Sequence, residues 1–260
     1  MIALDVTSLS PVCARVFGVD IYWYGVAYVV SLWLALFYAK RLTVNDVFRV
    51  DAFLPVACVG IVVGGRLGHV LFYDACYYMQ HVLDILKIRD GGMSFHGGLI
   101  GVALGAVWFC RRKSIKFLYF LDVLAMTAPI GLGIGRIANF VNSELYGVPT
   151  TLPCGVVFRG VREARHPTQI YEALTEGVLT FFILRWCRSK QAAKDGRVSS
   201  IFLICYSVAR FTIDFVKDSK HVYGLTVGQW LSAGMALTGV LGVCLTQVSP
   251  PSSVASPTKK

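Results

Sequence analysis

The segment GRIANFVNSELYG, at positions 135–147, places an arginine, two asparagines and a glutamate at the end of a long apolar run. Charged side chains within apolar segments are costly, and they usually face a protein interior or a polar cavity where they pair or bind a ligand. Arg136 supplies a planar guanidinium that suits phosphate oxygens. Asn139, Asn142 and Glu144 supply hydrogen-bonding groups close to it. These residue types indicate an anion-binding site.

Further polar residues interrupt or flank the other apolar segments. Arg210 lies well inside one of them, and His96 opens another. The arginines outnumber the nearby carboxylates in this pattern, which indicates an anionic ligand, and a histidine can act as a general base near neutral pH. The remaining polar residues of this set are Tyr24, Arg66, His166, Gln169, Glu172 and Gln229.

Each of these residues also has an interpretation that involves no ligand. Arg136 could extend from a helix end to the membrane interface. Arg210 could form a structural ion pair with Asp214, four residues later. His96 alone is more typical of a packing histidine. Glycines at four-residue spacing indicate close helix packing; they are Gly60, Gly64 and Gly68, then Gly97, Gly101 and Gly105.

Long apolar segments must position these residues. A bilayer core about 30 Å thick needs roughly 20 apolar residues per helix, and helices satisfy all backbone polar groups in lipid. We therefore predict an all-α integral membrane protein, a bundle of about seven transmembrane helices with irregular outer-face segments. The predicted spans are 21–39, 52–73, 94–110, 117–135, 168–187, 199–216 and 226–247.

Lysine and arginine set the predicted orientation. If the spans alternate, fourteen basic residues fall on one side of the membrane and nine on the other. The positive-inside rule makes the richer side cytoplasmic, so the N-terminus lies outside and the C-terminus in the cytoplasm. The polar residues above then all lie toward the outer surface. The net charge of +10 is explained by this distribution, and no nucleic-acid partner is predicted.

Two quoted segments carry a family resemblance. GRIANFVNSELYG and SFHGGLIG, at 94–101, resemble the bacterial prolipoprotein diacylglyceryl transferase family, and similar pieces extend from about Tyr22 to about Ser232. Asp214 and Lys217 stand where glutamate and arginine are usual, which keeps the charge but alters the reach. The other similar pieces are YWYG (22–25), GGRLGHVLFY (64–73), HPTQIYEAL (166–174), YSVARFTIDFVK (206–217) and LTVGQWLS (225–232).

The resemblance implies a multi-pass enzyme of the bacterial inner (cytoplasmic) membrane, with its active site toward the outer leaflet. Such enzymes move the diacylglyceryl group of phosphatidylglycerol to the thiol of a lipobox cysteine in a prolipoprotein. A thioether forms and glycerol phosphate is released, as the first step of lipoprotein maturation. The implied partners are phosphatidylglycerol, prolipoprotein signal peptides and membrane lipid. The family's important residues match here as Tyr24, His96, Arg136, Asn139, Glu144, Gly147, Tyr206 and Arg210.

This reaction accounts for the residue types. A thiol with a pKa of about 8.5 is mostly protonated at neutral pH, and His96 could remove its proton during the attack. Arg136 and Arg210 could neutralise the departing phosphate. We therefore predict these three residues to be catalytic, with no metal and no cofactor. The predicted substrate-binding residues are Tyr24, Arg66, Asn139, Asn142, Glu144, Gly147, His166 and Tyr206.

Residues 1–247 are predicted to form one transmembrane catalytic domain, and 248–260 a disordered cytoplasmic tail. A transporter of anionic solutes is the main alternative function. It would place its site near the bilayer midplane between repeated halves, whereas no repeat is visible here. The segment 148–165 could contact signal peptide or headgroups, or be a solvated loop. A disulfide among the outer cysteines also stays open; these are Cys13, Cys76 and Cys154.

Overall fold

The computed structural model is mostly helical and describes residues 4–44, 49–72, 75–87, 92–190, 194–218 and 221–248. A π-helical segment, Ala173–Leu179, joins the helices Thr168–Glu172 (α6) and Thr180–Lys190 (α7) into one continuous helix. The predicted tail lies outside the described residues except for Val248. The helices are α1 (Trp23–Leu42), α2 (Leu54–Phe72), α3 (Ala75–Gln80), α4 (Phe95–Lys113), α5 (Phe117–Val141), α6 (Thr168–Glu172), α7 (Thr180–Lys190), α8 (Arg197–Ile213) and α9 (Val227–Val248).

Every predicted span coincides with a helix of the structure, which is consistent with the predicted all-α membrane protein. Among the described residues, five helices are long and apolar enough to cross a membrane. Helix α4 is less apolar because three basic residues end it, and the α6–α7 helix carries Glu172 and Glu176. The five helices cover Trp23–Leu42, Val50–Leu71, Phe117–Val141, Arg197–Val216 and Val227–Thr246.

Short strands were not expected from the sequence. The turn of an N-terminal hairpin is formed by Phe17 and Gly18, whose φ angles are 50° and 81°; two-residue turns with positive φ match the twist of paired strands. Arg15 and Asp20 form an ion pair of 2.5 Å across this hairpin. Strand β1 (Leu4–Asp5) pairs in parallel with β4 (Val156–Val157). Two pairs are antiparallel: β2 (Val12–Val16) with β3 (Val19–Tyr22), and β5 (His221–Val222) with β6 (Leu225–Thr226).

The segment 148–165 is folded rather than an open loop. Its Phe158 is fully buried and forms a small core with Val6 and Val156. Tyr146 stacks on the Phe158 ring with centroids 5.1 Å apart. The pairing of β1 with β4 thus anchors the start of the chain to this segment, so the solvated-loop alternative does not describe its centre.

The chain forms two compact units, residues 40–120 and residues 1–39 with 121–260. In the first, α2 and α4 touch through their glycines. A Cβ on Gly60 would lie 2.7 Å from the Gly101 carbonyl oxygen, and one on Gly68 would lie 2.6 Å from the Gly97 Cα. The prediction that these glycines serve close helix packing is therefore confirmed.

In the larger unit, α5 crosses the α6–α7 helix at a second glycine contact. A Cβ on Gly177 would lie 2.7 Å from the Cα of Gly133. Arg136 follows Gly133 by one helical turn, and Glu176 directly precedes Gly177. The close crossing therefore places a basic and an acidic side chain beside each other.

Helix α9 begins with a capping box. The Gln229 N–H donates to Thr226 Oγ1 (3.0 Å), and the Thr226 N–H donates to Gln229 Oε1 (2.9 Å), which satisfies two backbone donors of the helix start. The Thr226 hydroxyl also donates to Asp214 Oδ2 (2.5 Å). The start of α9 therefore fixes the carboxylate that follows α8.

Candidate active site

Arg136 and Arg210 meet in the larger unit at one carboxylate. Glu172 Oε2 lies 3.3 Å from Arg136 Nε. Glu172 Oε1 accepts hydrogen bonds from Arg210 Nη1 and from Lys217 Nζ, the latter at 2.6 Å. Glu172 is fully buried, whereas the two arginine side chains are 16% and 21% exposed. The structure thus brings both predicted catalytic arginines into one cluster.

Two further carboxylates complete this ion cluster. Glu176 Oε2 lies 3.2 Å from Arg136 Nη2, and Asp214 Oδ1 lies 3.3 Å from Arg210 Nη2. The expectation that the arginines outnumber the nearby carboxylates was wrong, because in the described residues three carboxylates face three cations. The Arg210–Asp214 ion pair, considered as an alternative to ligand binding, is present within this larger cluster.

Sequence reasoning missed Glu176 and gave Glu172 no role. The available signal was a pair of acidic residues four positions apart in an otherwise apolar predicted span. That spacing puts both on one face of a helix, and buried charges in a membrane helix call for partners.

The cluster keeps hydrogen-bonding capacity for an anion. Arg136 uses Nε and Nη2 in its ion pairs, and Arg210 uses Nη1 and Nη2. Within the described part of the chain, Arg136 Nη1 and Arg210 Nε have no protein partner. Both arginine side chains are partly exposed and the carboxylates behind them are buried, so these N–H groups are the donors that the cluster retains for an anionic ligand.

A second network surrounds Asn139, close to the ion cluster on α5. Its Nδ2 donates to Tyr24 Oη (3.1 Å) and to Glu144 Oε1 (2.8 Å). Gln169 Nε2 in turn donates to the backbone carbonyl of Glu144 (2.6 Å). Three predicted site residues are therefore linked, and they join the first turn of α1 to the end of α5.

Gly147 occupies a position of close backbone approach. A Cβ there would lie 2.8 Å from Thr168 Cγ2 and 2.9 Å from His166 Cβ. Its N–H donates to the His166 carbonyl (2.8 Å), and its carbonyl accepts from Arg165 Nη1 (3.1 Å). The structure therefore explains why glycine stands here, while a contact with substrate stays a prediction.

The remaining predicted residues of this unit have different surroundings. His166 Nδ1 lies 3.3 Å from Tyr171 Oη, which also contacts the thiol of Cys154 at 3.3 Å. Asn142 Oδ1 is buried without a hydrogen-bond partner among the described residues. Tyr206 lies one turn before Arg210 on α8, within electrostatic range of the ion cluster. The three cysteines that the predicted orientation places outside, Cys13, Cys76 and Cys154, form no disulfide in the described structure.

The Arg66 guanidinium, in the smaller unit, donates hydrogen bonds to backbone carbonyls. Its Nε donates to the Ile85 carbonyl (2.8 Å) and its Nη2 to those of Asp84 (2.6 Å) and Lys87 (3.2 Å). The guanidinium also lies over the Tyr78 ring, 5.2 Å from its centroid. Arg66 thus holds the segment after α3 against α2, and its substrate-binding role stays a prediction.

His96 belongs to the first turn of α4. Ser94 caps this helix, because its hydroxyl accepts the Gly97 N–H at 3.2 Å, and the Ser94 N–H donates to the Gly65 carbonyl of α2 (2.8 Å). The cap and this backbone contact fix where the helix that carries His96 begins.

Comparison with known proteins identifies the class to which this membrane-helical chain belongs. The family model described as prolipoprotein diacylglyceryl transferase matches residues 11–245. The chain belongs to this family, and the predicted family is confirmed.

Its relatives include three proteins named phosphatidylglycerol–prolipoprotein diacylglyceryl transferase. The one from Wolbachia pipientis subsp. Culex pipiens is 42% identical, over 90% of this chain and 94% of the relative. The one from Mesorhizobium japonicum is 39% identical over 91% and 88%. The one from Bordetella parapertussis is 38% identical over 96% and 99%.

Proposed function

We propose that this protein transfers the diacylglyceryl group of phosphatidylglycerol to the thiol of a lipobox cysteine in prolipoproteins. The products are a thioether-linked protein and glycerol phosphate, and the reaction is the first step of lipoprotein maturation. The observation that carries the proposal is family membership across residues 11–245, together with relatives of that name aligned over almost their whole length.

The ion cluster is proposed to bind the phosphate of the lipid. Attack by sulfur forms a carbon–sulfur bond at the glyceryl carbon while the carbon–oxygen bond to phosphate breaks. The departing oxygen takes the electron pair, so the phosphate gains negative charge. Arg136 Nη1 and Arg210 Nε lack protein partners in the described structure, and their charge-assisted hydrogen bonds stabilise that charge at the partly buried cluster.

The proton of the thiol goes to His96 in this proposal. Sulfur attacks as a thiolate, so a base must accept the proton as the bond forms. The position of His96 in the SFHGGLIG motif supports this role. The residues proposed to bind the glyceryl and headgroup oxygens are Tyr24, Arg66, Asn139, Asn142, Glu144, Gly147, His166 and Tyr206.

Seven helices are proposed to cross the inner membrane, with the N-terminus outside and the C-terminus in the cytoplasm. The loop lysines and arginines support this orientation. Arg136, Glu172 and Arg210 support it as well, because each lies near the helix end that this alternation assigns to the outer leaflet. Phosphatidylglycerol then enters from the lipid, and a signal peptide presents its cysteine at the same level.

A transfer assay tests the function. Purified protein in detergent is mixed with phosphatidylglycerol and a lipobox peptide, and the peptide mass is measured. We expect the mass to increase by one diacylglyceryl group, and a peptide with serine in place of cysteine to stay unchanged. No mass increase, combined with uptake of anionic solute into vesicles that contain the protein, would favour the transporter alternative instead.

A further inference from the structure

We infer that Glu172 is the positioning residue that sets the spacing of Arg136 and Arg210, so that both guanidinium groups can bind one phosphate. This inference rests on the proposed function. It assigns a task to a side chain that acts through the arginines rather than on the lipid.

The contacts distinguish Glu172 from the other carboxylates of the cluster. Among the described residues it alone forms ion pairs with both arginines, through Oε2 to Arg136 and through Oε1 to Arg210. Glu176 forms an ion pair with Arg136 only, and Asp214 with Arg210 only. Loss of Glu172 therefore removes the link between the two guanidinium groups, whereas loss of Glu176 leaves it in place.

Electrostatics make such a link necessary. Two guanidinium groups that share one small carboxylate repel each other, and the repulsion is strong where little water is present. A buried negative charge between them offsets this repulsion. Glu172 provides it: it accepts a hydrogen bond from Arg210 and forms an ion pair with Arg136 at 3.3 Å, while the hydrogen bonds of Arg136 go to Glu176. Without it, positive charge is left uncompensated, and the long arginine side chains are free to turn away from each other.

Glu172 itself is held firmly. It is fully buried, its Oε1 also accepts from Lys217 Nζ (2.6 Å), and it ends α6 where the π-helical segment begins at Ala173. Single π-helical turns are frequently found at functional sites. Its burial and its contacts with three cations hold this carboxylate in one position.

The lipid phosphate can bind without displacing Glu172. The N–H groups with no protein partner in the described structure, on Arg136 Nη1 and Arg210 Nε, are not those that contact Glu172. The carboxylate therefore supports the arginines on their buried side, and the phosphate approaches from the exposed side.

The experiment compares Glu172→Gln with Glu176→Gln in the full-length protein by peptide mass. We expect Glu172→Gln to lower kcat at least tenfold without raising the KM for phosphatidylglycerol. The KM should not rise because the cluster gains net positive charge. The kcat should fall because the two guanidinium groups are no longer held at a fixed spacing. Glu176→Gln should lower kcat clearly less. Asp122→Asn serves as the structural control, since this buried carboxylate forms no ion pair with the arginines of the cluster in the described structure and accepts the backbone N–H groups of Gly196 (2.8 Å) and Ser199 (2.7 Å). It should lower Tm and leave kcat per folded molecule unchanged.

Three results would overturn the inference while transfer by the wild type still stands. The first is a kcat of Glu172→Gln equal to that of the wild type, and the second is an equal loss of kcat in Glu172→Gln and Glu176→Gln. The third is a loss of activity in Glu172→Gln that is fully explained by a smaller fraction of folded protein. If Glu172→Gln does not fold, Glu172→Asp replaces it. This variant keeps the charge but shortens the reach, so kcat should fall while the fold persists, and unchanged kcat would overturn the inference. Absence of transfer by the wild type would instead refute the proposed function.

Discussion

Gly133 and Gly177 bring the backbones of α5 and the α6–α7 helix into contact. A Cβ on Gly177 would lie 2.7 Å from the Gly133 Cα and 3.2 Å from its nitrogen, whereas a Cβ on Gly133 would lie 3.4 Å from the Gly177 Cα, an ordinary contact. Arg136 lies one turn beyond this contact, where it reaches Glu172 and Glu176. The geometry of the ion cluster thus depends on the absence of a side chain at Gly177.

We expect Gly177→Ala to separate these helices and weaken the contacts of Arg136. Overpacking of this kind costs about 1–3 kcal/mol, and the shift should reduce transfer activity as well as Tm. Gly131→Ala is the matched control on α5, because a Cβ there meets nothing within 4 Å. The dependence of the cluster on this crossing is refuted if both variants retain full activity and stability.

The two arginines should not tolerate replacement by lysine. A lysine ammonium lacks the planar fork, so it cannot hold two carboxylates and still offer an N–H group to phosphate. Removal of one stabilising donor of this kind costs about 10²–10³ in kcat, and we expect losses of that order for Arg136→Lys and Arg210→Lys.

The same peptide assay measures this loss, and Arg112→Lys is its control because that residue is exposed at the end of α4. Normal turnover by both arginine variants, with folding verified, would remove phosphate binding by these residues from the mechanism.

Much of the fold could be predicted because hydropathy reports where helices are. The seven apolar segments coincide with helices, and the glycine spacing predicted close helix packing, which the structure shows between α2 and α4. Hydropathy does not report how a helix is rotated about its axis. Glu176 contacts Arg136, which is 40 residues away in the chain, so the pairing depends on the crossing at Gly133 and on the π-helical segment.

Local geometry was beyond prediction for similar reasons. Arg66 donates hydrogen bonds to backbone carbonyls of an irregular segment. No pattern in the sequence indicates which carbonyls lack a backbone hydrogen-bond donor. The N-terminal hairpin depends on a turn whose first residue, Phe17, is not a usual residue for positive φ. The arginines themselves were found because charge in an apolar segment is conspicuous in any sequence.

The proposed base predicts a change in the pH–rate profile. If His96 accepts the thiol proton, wild-type activity falls as pH decreases and the imidazole becomes protonated, because only the neutral form can act as a base. His96→Gln should be about 10²–10⁴-fold slower and should lack this acidic limb. Transfer rates from pH 5 to 9 measure it; an active variant with the wild-type acidic limb argues that His96 binds the headgroup rather than the proton.

The capping box of α9 predicts that Thr226→Ala lowers both Tm and kcat. Thr226→Ala removes the acceptor of the Gln229 N–H and the hydroxyl that donates to Asp214. Loss of an N-cap costs about 1 kcal/mol, so Tm should fall, and Asp214 loses a contact that holds it against Arg210. Thr238→Ala, in the same helix, removes only a hydroxyl bonded to the Gly234 carbonyl and should change neither Tm nor kcat appreciably. Thermal unfolding in detergent and the peptide assay measure both effects, and equal Tm values for the two variants would show that the capping box does not stabilise the start of α9.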